Sequence, residues 1–276
     1  MDCDNPKDKR EEWACYAREY NGAQVVWIDQ STDTALKKAN SKGVCFALTR
    51  DWVRSYRRYR IDRSKFVNSF RDAAEINPEN RIPQIYITNQ QLYAAQVAQN
   101  KRELEELMEE LERRKKQGGP VPEGILATLA SIRKRAYGRD LVNLTQYKLS
   151  EIYDISFILN QMKQEGLANP RYYMLTFRKK GVGGHVVGFE FRPDIHVSDN
   201  YPGLFEFIDA NLGLYAFGDA DKLLNFFDLR VWIELYGLKD YDSFELAEFD
   251  TGIGGLGKTW TETLNDLIAW FKSWVV

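Results

Sequence analysis

The chain has 276 residues, 44% of them apolar and 28% charged, the balance of a globular protein rather than a disordered one. Thirty-eight basic residues against 40 acidic ones leave a formal net charge of -2, which gives no electrostatic ground for expecting a nucleic-acid partner. No apolar run reaches the roughly 18–20 residues that span a bilayer, and the opening Met1–Trp13 lacks the hydrophobic stretch of a secretory signal. Export would then use a signal-independent route; otherwise the protein stays in the cytoplasm.

In chain order, the first half reads mostly helical. Residues 8–20 suit a helix carrying Trp13, Tyr16 and Tyr20 on one side. A short β-type run follows at 23–28, then a polar, loop-like stretch at 29–42. A helical pattern starts near Gly43 and runs through Trp52 and Tyr56. Between Asn100 and Lys116, Leu104, Leu107, Met108 and Leu111 recur at i, i+3, i+4, i+7, with a basic C-terminal end that suits the helix dipole. Gly118-Gly119-Pro120 stops this helix, and the charged segment of about 100–121 reads as a mobile helical insertion. Helical patterns return at about 122–137 and 149–165.

Near residue 170 the texture changes. Segments 172–180, 184–192, 203–209 and 213–217 are aromatic and β-branched, with glycine, proline and asparagine between them, and read as antiparallel strands. A helix at 220–236, a strand at 243–249 and a terminal helix from about 260 complete the pattern. The expected class is α+β, one domain over 1–276 with a helical lobe of about 1–168 and a sheet lobe of about 169–276.

Three cysteines, Cys3, Cys15 and Cys45, are too few and odd in number for a disulfide framework, and no Cys-x-x-Cys pair suggests zinc. The segment from Asn40 through Gly43, Val44 and Cys45 to Trp52 carries the most information. A polar, glycine-containing loop ends in the first turn of a helix, and Cys45 sits there. Backbone N–H groups at a helix start lower a thiol pKa and can cradle an oxyanion. The alternative is a buried structural cysteine on an apolar helix face.

Only two histidines exist. His185 follows Gly183 and Gly184 at the start of a strand, where the glycines admit a close neighbour. His196 sits in a loop-like stretch. A third role, an acceptor that orients the imidazole, falls to Asp209 at the end of an apolar strand. Asp209 could equally cap its turn with Asn211 and Gly213. Cysteine at a helix start, then histidine on a strand, then aspartate on the next strand is the papain-type order.

The motifs Gly43-Val44-Cys45 with Leu48 and Trp52, Gly183-Gly184-His185, and Phe205-x-Phe207-x-Asp209-x-Asn211-x-Gly213 resemble the YopT-type cysteine peptidases of bacterial effectors, a papain-like clan. The resemblance covers about residues 40–220. It implies a papain-like fold, with the nucleophile helix packed on a C-terminal antiparallel sheet. It implies Cys45 as nucleophile, His185 as general base, Asp209 as orienter and Asn40 as oxyanion-hole donor. Asp209-Ala210-Asn211 stands where the family has Asp-Pro-Asn. The implied function is a secreted or translocated thiol protease, a toxin or virulence effector that cleaves a protein inside a target cell. A cognate chaperone or immunity protein would be its other partner, and no metal or cofactor is expected. The same triad also serves acyl transfer, deamidation or peptidoglycan amidase chemistry.

Three further signals compete. Gly252-Ile253-Gly254-Gly255-Leu256-Gly257-Lys258-Thr259 matches the phosphate-binding loop pattern and leaves a nucleotide-binding module as an alternative, although a glycine-rich turn into the last helix is the preferred reading. Between Arg50 and Lys65 lie seven basic and two acidic residues, read as a solvated helix face that can bias the site toward acidic substrates. The terminal segment bearing Leu264, Leu267, Ile268, Phe271 and Trp274 is amphipathic but has no basic face, so docking on the core is favoured over membrane contact.

Overall fold

The computed structural model describes residues 2–38, 43–58, 63–76, 82–116, 141–148, 155–179, 183–193, 204–237, 241 and 243–250, with single positions between 124 and 135. Among these, helices α1 (Lys9–Glu19), α2 (Thr34–Lys38), α3 (Cys45–Arg58), α4 (Arg63–Ile76), α5 (Gln84–Lys116), α6 (Ile155–Ala168) and α7 (Ala220–Phe226) surround one sheet. The strands are β1 (Gly22–Val26), β2 (Leu141–Lys148), β3 (Arg171–Lys179), β4 (Gly183–Arg192), β5 (Leu204–Asp209), β6 (Gly213–Phe217) and β7 (Ser243–Asp250). They pair in the order β1-β6-β5-β4-β3-β7-β2, antiparallel throughout. The class is α+β, as the sequence predicts.

Period-two alternation explains the two faces. Phe177, Val187, Phe189, Phe191, Phe205, Phe207 and Tyr215 turn one way and pack under α1, α6 and α7. Tyr172, Met174, Val186, Ile208, Leu214, Ala247 and Phe249 turn the other way and pack under α3, α4 and the start of α5. Both faces are covered, so the strands read as near-continuous apolar runs. Buried side chains such as these stabilise the fold by roughly 1.5–3 kcal/mol each.

Several elements differ from the sequence reading. β2 lies in the part read as helical, between the patterns at 122–137 and 149–165, and with β1, the strand expected at 23–28, it forms the two edges of the sheet. β2 carries Asn143, Thr145 and Gln146, polar positions that an edge strand tolerates and that hid its period. The helix expected from Asn100 begins at Gln84, so residues 100–116 continue a 33-residue element. The helix expected over 220–236 changes at Phe227 from α to a ten-residue π-helix ending at Tyr236. Residues 34–38, expected as loop, form a short helix capped by the buried Asp33, whose Oδ1 accepts from Leu36 N–H and Oδ2 from Ile82 N–H. Cys3 and Cys15 are joined in a disulfide, Cα–Cα 5.5 Å, which corrects the expectation drawn from an odd count: Cys15 lies on the buried side of α1 and the preceding turn returns Cys3 to it. Cys45 is the free cysteine.

Among the described residues no helix is long and apolar enough to cross a membrane, and no group of three His, Cys, Asp or Glu is placed to hold a metal. His196, the glycine-rich 252–259 segment and the terminal amphipathic segment lie outside the described residues.

Candidate active site

The site forms where β5 stops. Its last register pair with β4 is Asp209 opposite Val187; then Ala210–Leu212 turn into β6. Beyond Val187 the first residues of β4 are paired on the β3 side, through Thr176–Val186, Phe177–His185 and Arg178–Gly184. Among the described residues no strand pairs with the other edge of β4 there, and the start of α3 lies against it.

The placement of α3 follows from one glycine. A Cβ on Gly188 would lie 2.7 Å from Ile208 Cγ2, 2.8 Å from Thr49 Cγ2 and 2.8 Å from Trp52 Cζ3, so the missing side chain is what lets α3 lie flat on β4. From Thr49 back to Cys45 is four helical residues, about 6 Å of rise. From Gly188 back to Val186 is two strand residues, about 6.6 Å. The two distances match, and the Cys45 thiol meets β4 at Val186, whose backbone N–H donates to the sulfur.

His185 and Asp209 come together by strand register. Asp209 faces Val187, and His185 is two residues along on the same face, a diagonal pair within reach. His185 Nε2 stands 2.9 Å from Asp209 Oδ1 and 3.0 Å from Tyr236 Oη. With Nε2 so engaged, Nδ1 is the ring nitrogen left for the Cys45 thiol, which hydrogen-bonds the imidazole. Asp209 also accepts from the Asn211 backbone N–H at 2.7 Å and from Tyr236 Oη–H at 2.6 Å. The two readings of Asp209, orienter and turn cap, are therefore compatible: one carboxylate makes both sets of bonds.

Burial and pairing set the protonation. Burial pushes the Cys45 thiol up, but the hydrogen bond and charge of His185, with the Val186 N–H, outweigh it and leave the thiol pKa lowered. Burial pushes His185 down; the Asp209 charge and hydrogen bond, then Cys45, override this and push it up to about 10. For Asp209, burial raises and His185, Tyr236 and Asn211 lower, with a net lowering. The resting pair suited to these directions is thiolate and imidazolium, with a carboxylate behind it.

Aromatic rings wall the site. Tyr236 lies nearly parallel to the imidazole, centroids 5.0 Å apart, and Phe177 packs against both. On the α3 side, Tyr93 of α5 stacks on Phe46 at 3.7 Å, and Arg178 bonds Glu245 at 3.2 Å. Two side chains anchor the start of α3: Gln30 Oε1 accepts from Val44 N–H at 2.8 Å, and Gln90 Oε1 from Ala47 N–H at 3.0 Å.

Of the residues expected from sequence, Cys45, His185 and Asp209 are brought together. Asn40 lies outside the described residues. Tyr236, Gln30 and Gln90 were not anticipated. Asn211 stands in the sequence motif and as a turn residue, with no side-chain role assigned to it. A buried tyrosine on an apolar helix and a glutamine in a polar loop carry no local pattern that separates them from ordinary core and surface positions.

No family model and no curated protein matches the chain. Among solved structures, it is similar to the crystal structure of the Pseudomonas avirulence protein AvrPphB, with 15% identity over 76% of this chain and 92% of that one, at a TM-score of 0.39.

Proposed function

We propose that this protein is a thiol hydrolase, a cysteine peptidase of the YopT type acting on a protein substrate, with Cys45 as nucleophile, His185 as general acid and base, and Asp209 as orienter. The observation that carries the reading is the chain of contacts from the half-buried Cys45 thiol, at the start of α3, through the buried imidazole to the buried Asp209 at the end of β5. The sequence motifs around these three residues support the family.

The chemistry follows the geometry. The thiolate attacks a carbonyl carbon, and the oxyanion that forms is held by the Cys45 N–H at the positive end of α3. Asn40 is the second donor that the motif resemblance supplies. The imidazolium gives its proton to the leaving amine as the C–N bond breaks, leaving an acyl-enzyme. The neutral imidazole then takes a proton from water, hydroxide adds to the thioester, and the thiolate departs. Asp209 holds the ring and its tautomer throughout. Delivery into a target cell, as a toxin or effector, is part of the same reading and rests on the motif resemblance.

Incubating cell lysates with the wild type and with Cys45→Ala, then identifying new protein N-termini by mass spectrometry, tests the reaction. The expected result is a set of N-termini made by the wild type alone. A mass change on a lysate protein without a new N-terminus redirects the same triad to acyl transfer or deamidation. Identical products from both proteins overturn the hydrolase reading.

A further inference from the structure

Four hydrogen bonds run from the loop ahead of Cys45 to the carboxylate behind His185. Val44 N–H donates to Gln30 Oε1 at 2.8 Å, Gln30 Nε2 to Asn211 Oδ1 at 2.9 Å, Asn211 Nδ2 to Tyr236 Oη at 3.0 Å, and Tyr236 Oη–H to Asp209 Oδ2 at 2.6 Å. The direction of every bond is forced. A backbone N–H only donates, so Gln30 must turn its oxygen to Val44 and its amide nitrogen to Asn211. Asn211 must then present its oxygen to Gln30 and its nitrogen to Tyr236. The tyrosine, already accepting, sends its own proton onward, and an ionised carboxylate is the one group that only accepts. Both ends fit, and no member is left facing a like partner.

Two further features hold this path in place. Gln30 N–H donates to Ala210 O at 2.9 Å, which fixes the glutamine backbone to the turn beside Asp209. Gly43 has φ +131, and a Cβ there would stand 2.8 Å from Gln30 Oε1, so glycine makes room for the amide oxygen to reach Val44. Both amide atoms of Gln30 are therefore engaged, and it is not an oxyanion donor despite its closeness to the nucleophile loop.

We propose that Gln30, Asn211 and Tyr236 are positioning residues, a one-way strut that ties the Cys45 end of α3 to the Asp209–His185 pair. The inference rests on the thiol-hydrolase reading of Cys45. The strut spans elements far apart in sequence: the loop after β1, the start of α3, the β5–β6 turn and the end of the π-helix. It occupies Asp209 Oδ2, so Oδ1 faces the imidazole, and the tyrosine ring covers one face of that imidazole. Among the described residues, the titratable groups around the imidazole are Cys45 from α3, Asp209 from β5, Tyr236 from the π-helix and Tyr241, whose hydroxyl feels the Asp209 and Cys45 charges; Phe177 of β3 is apolar.

The test is the rate of Cys45 alkylation by iodoacetamide against pH, followed by peptide mass spectrometry on the full chain, in wild type, His185→Ala, Tyr236→Phe and Gln30→Met. Circular dichroism establishes that each variant is folded. The wild type is expected to react below pH 7, with the limb moved up in His185→Ala. Tyr236→Phe and Gln30→Met are expected to move the limb up by about one pH unit, about tenfold slower at pH 6. A merely structural role would lower the melting temperature and leave the limb in place. If the His185→Ala limb moves but folded Gln30→Met keeps the wild-type limb, the strut is overturned and the triad stands. If the wild type has no limb below pH 7, the hydrolase reading itself falls. Should Tyr236→Phe fail to fold, Gln30→Met alone decides.

Discussion

Asp209 is fully buried, and an ionised carboxylate without partners is not tolerated there. Three donors from three elements offset the desolvation, and their consequence can be counted in protons. In the unfolded chain His185 titrates near 6.5 and Cys45 near about 8.5. In the folded protein the histidine is raised to about 10 and the thiol lowered. Between roughly pH 6.5 and 8.5 the unfolded pair holds one proton, on sulfur, and the folded pair holds one, on the imidazole. The slope of stability with pH is then near zero. Above about 8.5 the unfolded pair holds none while the folded imidazolium keeps its proton, so stability falls until about pH 10. Removing the sulfur removes the balance. In Cys45→Ala the raised histidine alone remains, its contribution full below about 6.5 and lost as pH rises. Urea titrations of both proteins from pH 6 to 10 are expected to show the alkaline decline starting about two units lower in Cys45→Ala; coincident profiles would mean that no ion pair forms.

At the scale of elements, the contact between α3 and β4 sets the nucleophile. Gly188→Ala puts a methyl group against Ile208, Thr49 and Trp52 at distances that force a shift. Overpacking of this kind costs about 1–3 kcal/mol. The helix is the part able to move, so the thiol leaves Val186 and the imidazole, and alkylation below pH 7 is expected to drop several-fold while the sheet persists. A fall in melting temperature with unchanged Cys45 reactivity would show that α3 is held elsewhere. This also explains what was legible in the sequence. The strands from 171 to 217 were readable because both faces are apolar, and the triad was readable because glycines and an asparagine mark Cys45, His185 and Asp209 locally. β2 was not, because an edge strand keeps polar residues. The π-helix was not, because its i→i+5 bonds, such as Gly237 N–H to Trp232 O, leave no distinct hydrophobic period. Tyr236 is brought to the site by that element, so the strut was hidden with it.

At the scale of the whole molecule, the site depends on the far edge of the sheet. β1 is the edge strand next to β6, α1 packs on it, and the loop that follows β1 delivers Gln30 to the β5–β6 turn. The N-terminal segment is fastened to α1 by Cys3–Cys15, and α1 is tied to the same loop through Lys9, whose ammonium lies over the Trp27 ring at 5.8 Å. Trp13 meets Phe226 edge to face at 6.2 Å, which links α1 to the helix leading into the π-helix and Tyr236. A cross-link closing a loop of about a dozen residues restricts the unfolded chain and stabilises the fold by about 3 kcal/mol. Reduction with a phosphine should therefore lower the urea midpoint in a single cooperative transition, because α1 buttresses the sheet rather than a separate unit. Its buried contacts through Trp13 and Ala17 persist without the bridge, so the Cys45 pH limb is expected to stay where it was. A second, earlier transition on reduction would show α1 detaching by itself. A displaced limb would show that the bridge holds Gln30 in place as well.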